Sequence, residues 1–79
     1  MKFYNETELY NTIGANIKYF REKSGLTQLD LSEKSKISIS YISKIEAPSC
    51  NKSISIAVLN HIGNTLNVDI TEFFERRIQ

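Results

Sequence analysis

The sequence predicts an all-α domain of five helices. Apolar residues recur at helical spacing through most of the 79 residues, and no segment shows the sustained apolar–polar alternation of a half-buried strand. Only one proline and three glycines are present, so few positions break a helical pattern.

Length and composition indicate one small globular domain over residues 1–79. The chain is 41% hydrophobic and 24% charged, and no apolar run approaches the roughly 18 residues of a membrane span. The N-terminus lacks the apolar core of an export signal, so a cytoplasmic protein without a membrane partner is expected.

Cys50 is the one cysteine. One Cys and one His do not supply the about four ligands of a zinc site, so no metal or cofactor is expected.

The first helix is predicted from one apolar stripe, formed by Leu9, Ile13, Ile17 and Phe20. Asn5, followed by a glutamate three positions later, resembles a capping box that starts the helix near Glu6. A start at Thr12 is the alternative, because Gly14 disfavours a helix interior by about 1 kcal/mol. Gly25 suits the left-handed position that ends the helix.

Two short helices joined by a turn of about four residues are predicted over residues 27–47. Thr27 and Ser38 each carry a hydroxyl that caps the first turn of a helix. Pro48 stops the third helix. The inward-facing apolar positions are Leu31, Ile37, Ile42 and Ile45.

The spacing of these apolar residues is that of a helix-turn-helix. Counted from Gln28, they occupy the fourth, tenth, fifteenth and eighteenth places, and the fifth place is the small Ser32. Two helices joined by a short turn cross steeply, so only a small side chain fits at the crossing. The outward face of the third helix then consists of Ile39, Ser40, Ser43 and Lys44.

Ser55 caps a fourth helix, whose apolar face consists of Ile56, Leu59, Ile62 and Leu66. Asn67 suits the left-handed position at its end. Asp69 opens a short fifth helix through Phe73 and Phe74.

The chain resembles the lambda-repressor-like, Cro/C1-type (Xre) helix-turn-helix family. The resemblance is carried by IGANIKYFREKSGLTQ, SYISKIE, SISIAVLNHI and LNVDITEFF. It covers about residues 12–75, with residues 5–12 as an N-terminal helix extension. Members are five-helix domains that mostly bind DNA as dimers and regulate transcription. The chain is similar in size to the controller proteins of restriction–modification systems.

The resemblance implies that the third helix enters the major groove. The candidates for base contact are Ile39, Ser40, Ser43 and Lys44. The candidates for phosphate contact are Gln28, Lys36, Tyr41, Asn51 and Lys52. A structural ion pair is implied between Arg21 and Glu46. The residues alone also allow an interpretation without DNA contact, in which the serines and lysines form a solvated face and Tyr41 belongs partly to the core.

The turn and the end of the third helix depart from the family pattern. The family often has Gly where this chain has Lys36, so a positive φ there costs on the order of 1 kcal/mol. Ser32 stands where the family usually has Ala. Ala47 and Pro48 follow the third helix where a Gly is common, and the next loop is about two residues longer than usual.

The expected function is therefore a sequence-specific DNA-binding transcriptional regulator of repressor or controller type. It acts as a homodimer on an operator with two half-sites, and an activator would also contact RNA polymerase through Glu22, Asp30 and Glu33. Residues 34–52 carry four lysines and one glutamate, whereas the net charge of the whole chain is +1. The alternative is a protein-interaction or antitoxin-like module with the same fold. No enzyme is expected, because the chain has no nucleophile–base set, paired carboxylates or Gly-rich phosphate loop.

The candidates for the dimer interface are apolar residues near the C-terminus, namely Ile70, Phe74 and Ile78. The alternative is that Phe73 and Phe74 simply complete the core. Cys50 is interpreted as an incidental free thiol and His61 as a surface residue.

Overall fold

The computed structural model describes residues 2–48 and 53–77, and this part of the chain forms four α-helices followed by one 3₁₀ helix. The α-helices are α1 (Glu6–Lys23), α2 (Gln28–Ser35), α3 (Ile39–Glu46) and α4 (Ile56–Leu66). The 3₁₀ helix is Ile70–Phe74. The all-α class is confirmed, and no strand occurs in the described ranges.

The α-helices begin where the sequence supplies a capping side chain. A side-chain oxygen accepts a hydrogen bond from the backbone N–H three residues later at Asn5, Thr27, Ser38 and Ser55. Because Asn5 is such a cap, α1 begins at Glu6, and the later of the two predicted starts is wrong. The Asp30 carboxylate accepts the Thr27 backbone N–H in return, and these hydrogen bonds lower the pKa of Asp30.

The turn between α2 and α3 is held by serine hydroxyls. Lys36 ends α2 with φ of 65°, a left-handed conformation that costs a lysine about 1–2 kcal/mol. The Ser32 hydroxyl donates to the Ile37 carbonyl oxygen at 2.6 Å, and the Ser35 hydroxyl accepts from the Ile37 N–H at 3.2 Å. The serine that replaces the usual alanine therefore ties the turn to α2 and offsets part of this strain.

The fifth element differs from the predicted helix in its type. The Asp69 carboxylate accepts hydrogen bonds from both the N–H and the hydroxyl of Thr71, two residues on. The Glu72 N–H then bonds to the Asp69 carbonyl and the Glu75 N–H to the Glu72 carbonyl. These are the i→i+3 bonds of a 3₁₀ helix, which suits so short a segment better than an α-helix.

The core lies between the four α-helices and the 3₁₀ helix. Phe73 of the 3₁₀ helix is fully buried and packs edge-to-face against Phe20 of α1, with ring centroids 5.9 Å apart. Phe73 therefore completes the core, as one of the two predicted alternatives stated. The buried apolar side chains are Ile13, Ile17, Leu31, Ile42, Ile45, Leu59, Ile62, Leu66 and Phe73.

The C-terminal segment is fastened to α1 by a buried amide. Asn16 is 2% exposed, and its Nδ2 donates to the carbonyl oxygens of Phe73 at 2.8 Å and Glu75 at 2.6 Å. Arg77 donates to Asn16 Oδ1 at 3.1 Å and lies over the Phe20 ring, 4.7 Å from its centroid. These contacts hold the chain beyond the 3₁₀ helix against the middle of α1.

Helices α1 and α3 cross at Gly14 with almost no space between their backbones. A Cβ atom at Gly14 would lie 1.9 Å from the carbonyl oxygen of Ile45, far inside van der Waals contact. The glycine that disfavours a helix in isolation is therefore required by the crossing. This close approach brings the end of α3 against the middle of α1.

We expect Gly14→Ala to lower the free energy of unfolding by about 2 kcal/mol. The gain in helix propensity, about 1 kcal/mol, is outweighed by a clash with a backbone atom that side-chain rotation does not relieve. Urea unfolding followed by circular dichroism at 222 nm measures the change. Ala15→Ser, at an exposed neighbour on the same helix, is the control and should change stability by less than about 0.5 kcal/mol. A Gly14→Ala variant as stable as the native chain would contradict the crossing.

Candidate nucleic-acid interface

A buried ion pair joins α1 to the C-terminal end of α3. Arg21 Nε donates to Glu46 Oε2 and Arg21 Nη2 donates to Glu46 Oε1, both at 2.8 Å. The two side chains are 8% and 2% exposed. Hydrogen bonding to Glu46 raises the pKa of Arg21 further, against the opposing effect of burial. The third guanidinium nitrogen, Nη1, donates to the Leu26 carbonyl oxygen at 2.8 Å, so the same residue also holds the turn between α1 and α2.

The ion pair also orients Gln28, the first residue of α2. Gln28 Nε2 donates to Glu46 Oε1 at 3.1 Å. A carboxylate only accepts hydrogen bonds, so the amide nitrogen, and not the amide oxygen, must face Glu46. The second Nε2 hydrogen and the amide oxygen of Gln28 are left for another partner. Gln28 is half-buried, which restricts the directions in which that partner approaches.

The outward face of α3 is exposed and almost free of formal charge. The residues predicted for base contact, Ile39, Ser40, Ser43 and Lys44, are all exposed in the structure. Ile39 is 44% exposed although its side chain is apolar. The opposite face of the helix is anchored by the buried Ile42 and Ile45, so the outward side chains project from a fixed element.

The other predicted phosphate-contacting residues lie in different environments. Lys36 is exposed at the turn between α2 and α3. Tyr41 is half-buried and packs against the core, and this burial raises the pKa of its hydroxyl. Asn51 and Lys52 lie outside the described residues, as does Cys50.

The predicted dimer residues are only partly available to a partner. Ile70 and Phe74 are half-buried and pack against the core, so part of each side chain is already used within the domain. Ile78 lies outside the described residues.

His61 is exposed as predicted, and its Nε2 lies 2.6 Å from the Ser35 carbonyl oxygen at the end of α2.

One depression beside α3 brings three helices together. It has a volume of about 260 Å³ and is lined by Lys18, Gln28, Ser43, Glu46, Ala47 and Pro48. Ser43 therefore belongs both to the outward face of α3 and to this depression. Lys18 of α1 was not singled out from the sequence, because its position on the polar side of an amphipathic helix is that of an ordinary solvated lysine. Its proximity to Gln28 depends on how α1 packs.

Within residues 2–48 and 53–77, none of the helices combines the length and the apolar character that a membrane span requires. No group of three or more His, Cys, Asp or Glu side chains in these ranges is arranged to hold a metal ion.

Comparisons with known proteins agree with this arrangement. A family model described as a helix-turn-helix domain matches residues 14–76. The crystal structure of the clp gene regulator ClgR from C. glutamicum has a TM-score of 0.74 and 28% sequence identity, covering 82% of each chain. The structure of the hypothetical transcription factor NHTF from Neisseria has a TM-score of 0.78 at 19% identity, covering 95% of this chain and 84% of that one. No curated protein matches the sequence. The predicted helix-turn-helix resemblance is thereby confirmed.

We expect Arg21→Met to lower the free energy of unfolding by about 3–5 kcal/mol, because it leaves the Glu46 carboxylate buried without its counter-charge. The double variant Arg21→Met/Glu46→Leu replaces the pair by apolar side chains and should lose less stability than Arg21→Met alone. Urea unfolding of the four proteins in this cycle measures both quantities. Strictly additive losses would show that the two side chains do not act as a pair.

Proposed function

This chain belongs to the helix-turn-helix domain family, and we propose that it is a sequence-specific DNA-binding transcriptional regulator. The observation that carries the proposal is the exposed face of α3, held at a fixed angle to α1 by Arg21 and Glu46. Gln28 sits beside this face at the start of α2. The arrangement suits a helix that lies in the major groove while the flanking elements contact the backbone.

The outward residues of α3 would read the bases. Ser40 and Ser43 offer hydroxyls that donate to or accept from several bases, and Ile39 offers an apolar contact for a thymine methyl group. Such side chains discriminate weakly, so sequence-dependent DNA shape would supply a larger share of the specificity. Lys44 adds a charge at the same face.

Phosphate contacts would hold α3 in register. Gln28 has one amide hydrogen left after its bond to Glu46, and this hydrogen would bond to a phosphate at the start of α2. Lys36 presents its ammonium from the turn, and Tyr41 is a further candidate from α3. Asn51 and Lys52 remain candidates on sequence grounds alone.

A homodimer is the form that would bind an operator. One domain of this size buries less DNA surface than a typical specific complex, so two half-sites are expected. The remaining exposed parts of Ile70 and Phe74 are the candidate contact between subunits, together with Ile78. Whether the regulator represses or activates depends on where its operator lies relative to the promoter.

The first test is to select duplexes from a random pool with the native protein and to measure binding by fluorescence anisotropy. We expect Gln28→Ala to weaken binding to selected and scrambled duplexes by the same factor, because a phosphate contact carries no sequence information. Ser40→Ala should weaken binding to the selected duplex by about fivefold, near 1 kcal/mol, and leave binding to scrambled duplex unchanged.

Asn64→Ala, at an exposed position of α4, is the control and should change neither affinity. If selection enriches no sequence and binding shows no salt dependence, the regulator hypothesis fails. The protein-interaction module would then be the better description of this fold.

We expect the selected sites to be inverted repeats whose half-site centres are about 10 base pairs apart, or a multiple of this distance. Sedimentation should find two chains on each such duplex. Ile70→Gln should raise the half-saturating concentration on the two-half-site duplex, and the affinity for a duplex with a single half-site is its internal control. A unique site that binds one chain would contradict the dimer.

A further inference from the structure

The depression lined by Lys18, Gln28 and Ser43 is a meeting point of donors from α1, α2 and α3. Lys18 supplies an ammonium, Gln28 an amide N–H and Ser43 a hydroxyl. The depression adjoins the outward face of α3, since Ser43 belongs to both. An acceptor-rich group that enters it would meet donors and no exposed carboxylate.

The charge of this depression comes from Lys18. Glu46 also lines it, but its side chain is only 2% exposed and both of its oxygens accept hydrogen bonds from Arg21. The negative charge of Glu46 is therefore compensated inside the domain. The other lining residues carry no formal charge, so the exposed Lys18 ammonium leaves the depression positive.

A second depression, of about 500 Å³, shares Lys18, Glu46 and Pro48 with the first and continues along α1. It passes the small Ala15 side chain, and it also includes the exposed carboxylate of Glu22. An anion is repelled by Glu22 and attracted by the donors beside Gln28. The favourable position for an anion is therefore the smaller depression, between Lys18 and Gln28.

We propose that Lys18 contacts a DNA backbone phosphate in this depression, the same phosphate that Gln28 addresses from the start of α2. The inference rests on the proposed function, and it assigns to α1 a DNA-binding role in addition to its structural one. Glu46 orients Gln28, and Lys18 supplies the charge that the neutral amide lacks. The recognition helix is then held from the α1 side by a contact that does not depend on base sequence.

The test is the salt dependence of binding by Lys18→Gln. Each phosphate neutralised by a lysine contributes about 0.9 to the slope of log K against log salt concentration on duplex DNA. We expect the slope to fall by about 0.9 for each chain bound, and the affinity at 0.15 M salt to fall by about fivefold for each chain. The loss should be equal on selected and scrambled duplexes, since a phosphate contact weakens all sequences alike.

Lys23→Gln is the matched control, because it removes the same charge from an exposed position of the same helix without touching the depression. It should leave the slope unchanged, and Lys18→Arg should retain the slope of the native protein. The double variant Lys18→Gln/Gln28→Ala should lose less affinity than the sum of the single losses if both side chains address one phosphate.

The outcomes separate the two proposals. Selective, salt-dependent binding by the native protein with an unchanged slope for Lys18→Gln overturns the role of Lys18 and leaves the proposed function standing. Equal losses for Lys18→Gln and Lys23→Gln also overturn it, because only net charge would then matter. Strict additivity in the double variant overturns the shared phosphate. A native protein that binds no duplex overturns the proposed function and this inference together.

Discussion

The hydrogen-bonded ion pair between Arg21 and Glu46 connects every element that the proposed interface needs. It joins the last turn of α1 to the end of α3, and its remaining donors and acceptors hold the Leu26 carbonyl and the Gln28 amide. Burial of two charges is costly, and it is tolerated here because the geometry is bidentate and each partner makes a further hydrogen bond. The positive charge of Arg21 is therefore paired with Glu46 inside the domain. It fixes the end of α3 to α1 and is not available for contact with DNA.

Two steric constraints act beside this electrostatic one. Gly14 lets the α1 backbone approach the Ile45 carbonyl, one residue before Glu46. Ser32 is small enough for the α2–α3 turn and also bonds to it. The first constraint positions α3 against α1, and the second positions α3 against α2. The first acts through the close approach of two backbones and the second through a side-chain hydrogen bond, and together they hold α3 against both neighbouring helices.

The low net charge of the chain is compatible with the proposed role because the charges are distributed unevenly. In the free domain, the side chains of Lys18, Lys36 and Lys44 are exposed, whereas Glu46 is neutralised by Arg21. Local charge then attracts the backbone although the whole molecule is nearly neutral. The serine side chains of α3 discriminate little between bases. The orientation of α3 and the phosphate contacts would therefore contribute more to binding.

The sequence by itself determined the features that depend on near neighbours along the chain. Asn5, Thr27, Ser38 and Ser55 cap helices because each bonds to an N–H only three residues away. The inward-facing residues of α2 and α3 follow from helical spacing, and their spacing predicted the helix-turn-helix. On α4 the same reasoning was wrong for Ile56, which stands at the first position of the helix and is 65% exposed. The outward positions on α3 followed from the same spacing, although their roles in binding stay predictions.

Only the tertiary structure decided what depends on distant segments. The need for Gly14 and the hydrogen bonds from Asn16 to Phe73 and Glu75 both arise from contacts between parts of the chain far apart in sequence. The same holds for the depression that joins Lys18 to Gln28 and Ser43. Local patterns specify which face of a helix is buried, but the approach of two helices depends on the packing of the whole core. A lysine on a solvated face becomes a candidate for phosphate contact only when that packing places a second helix beside it.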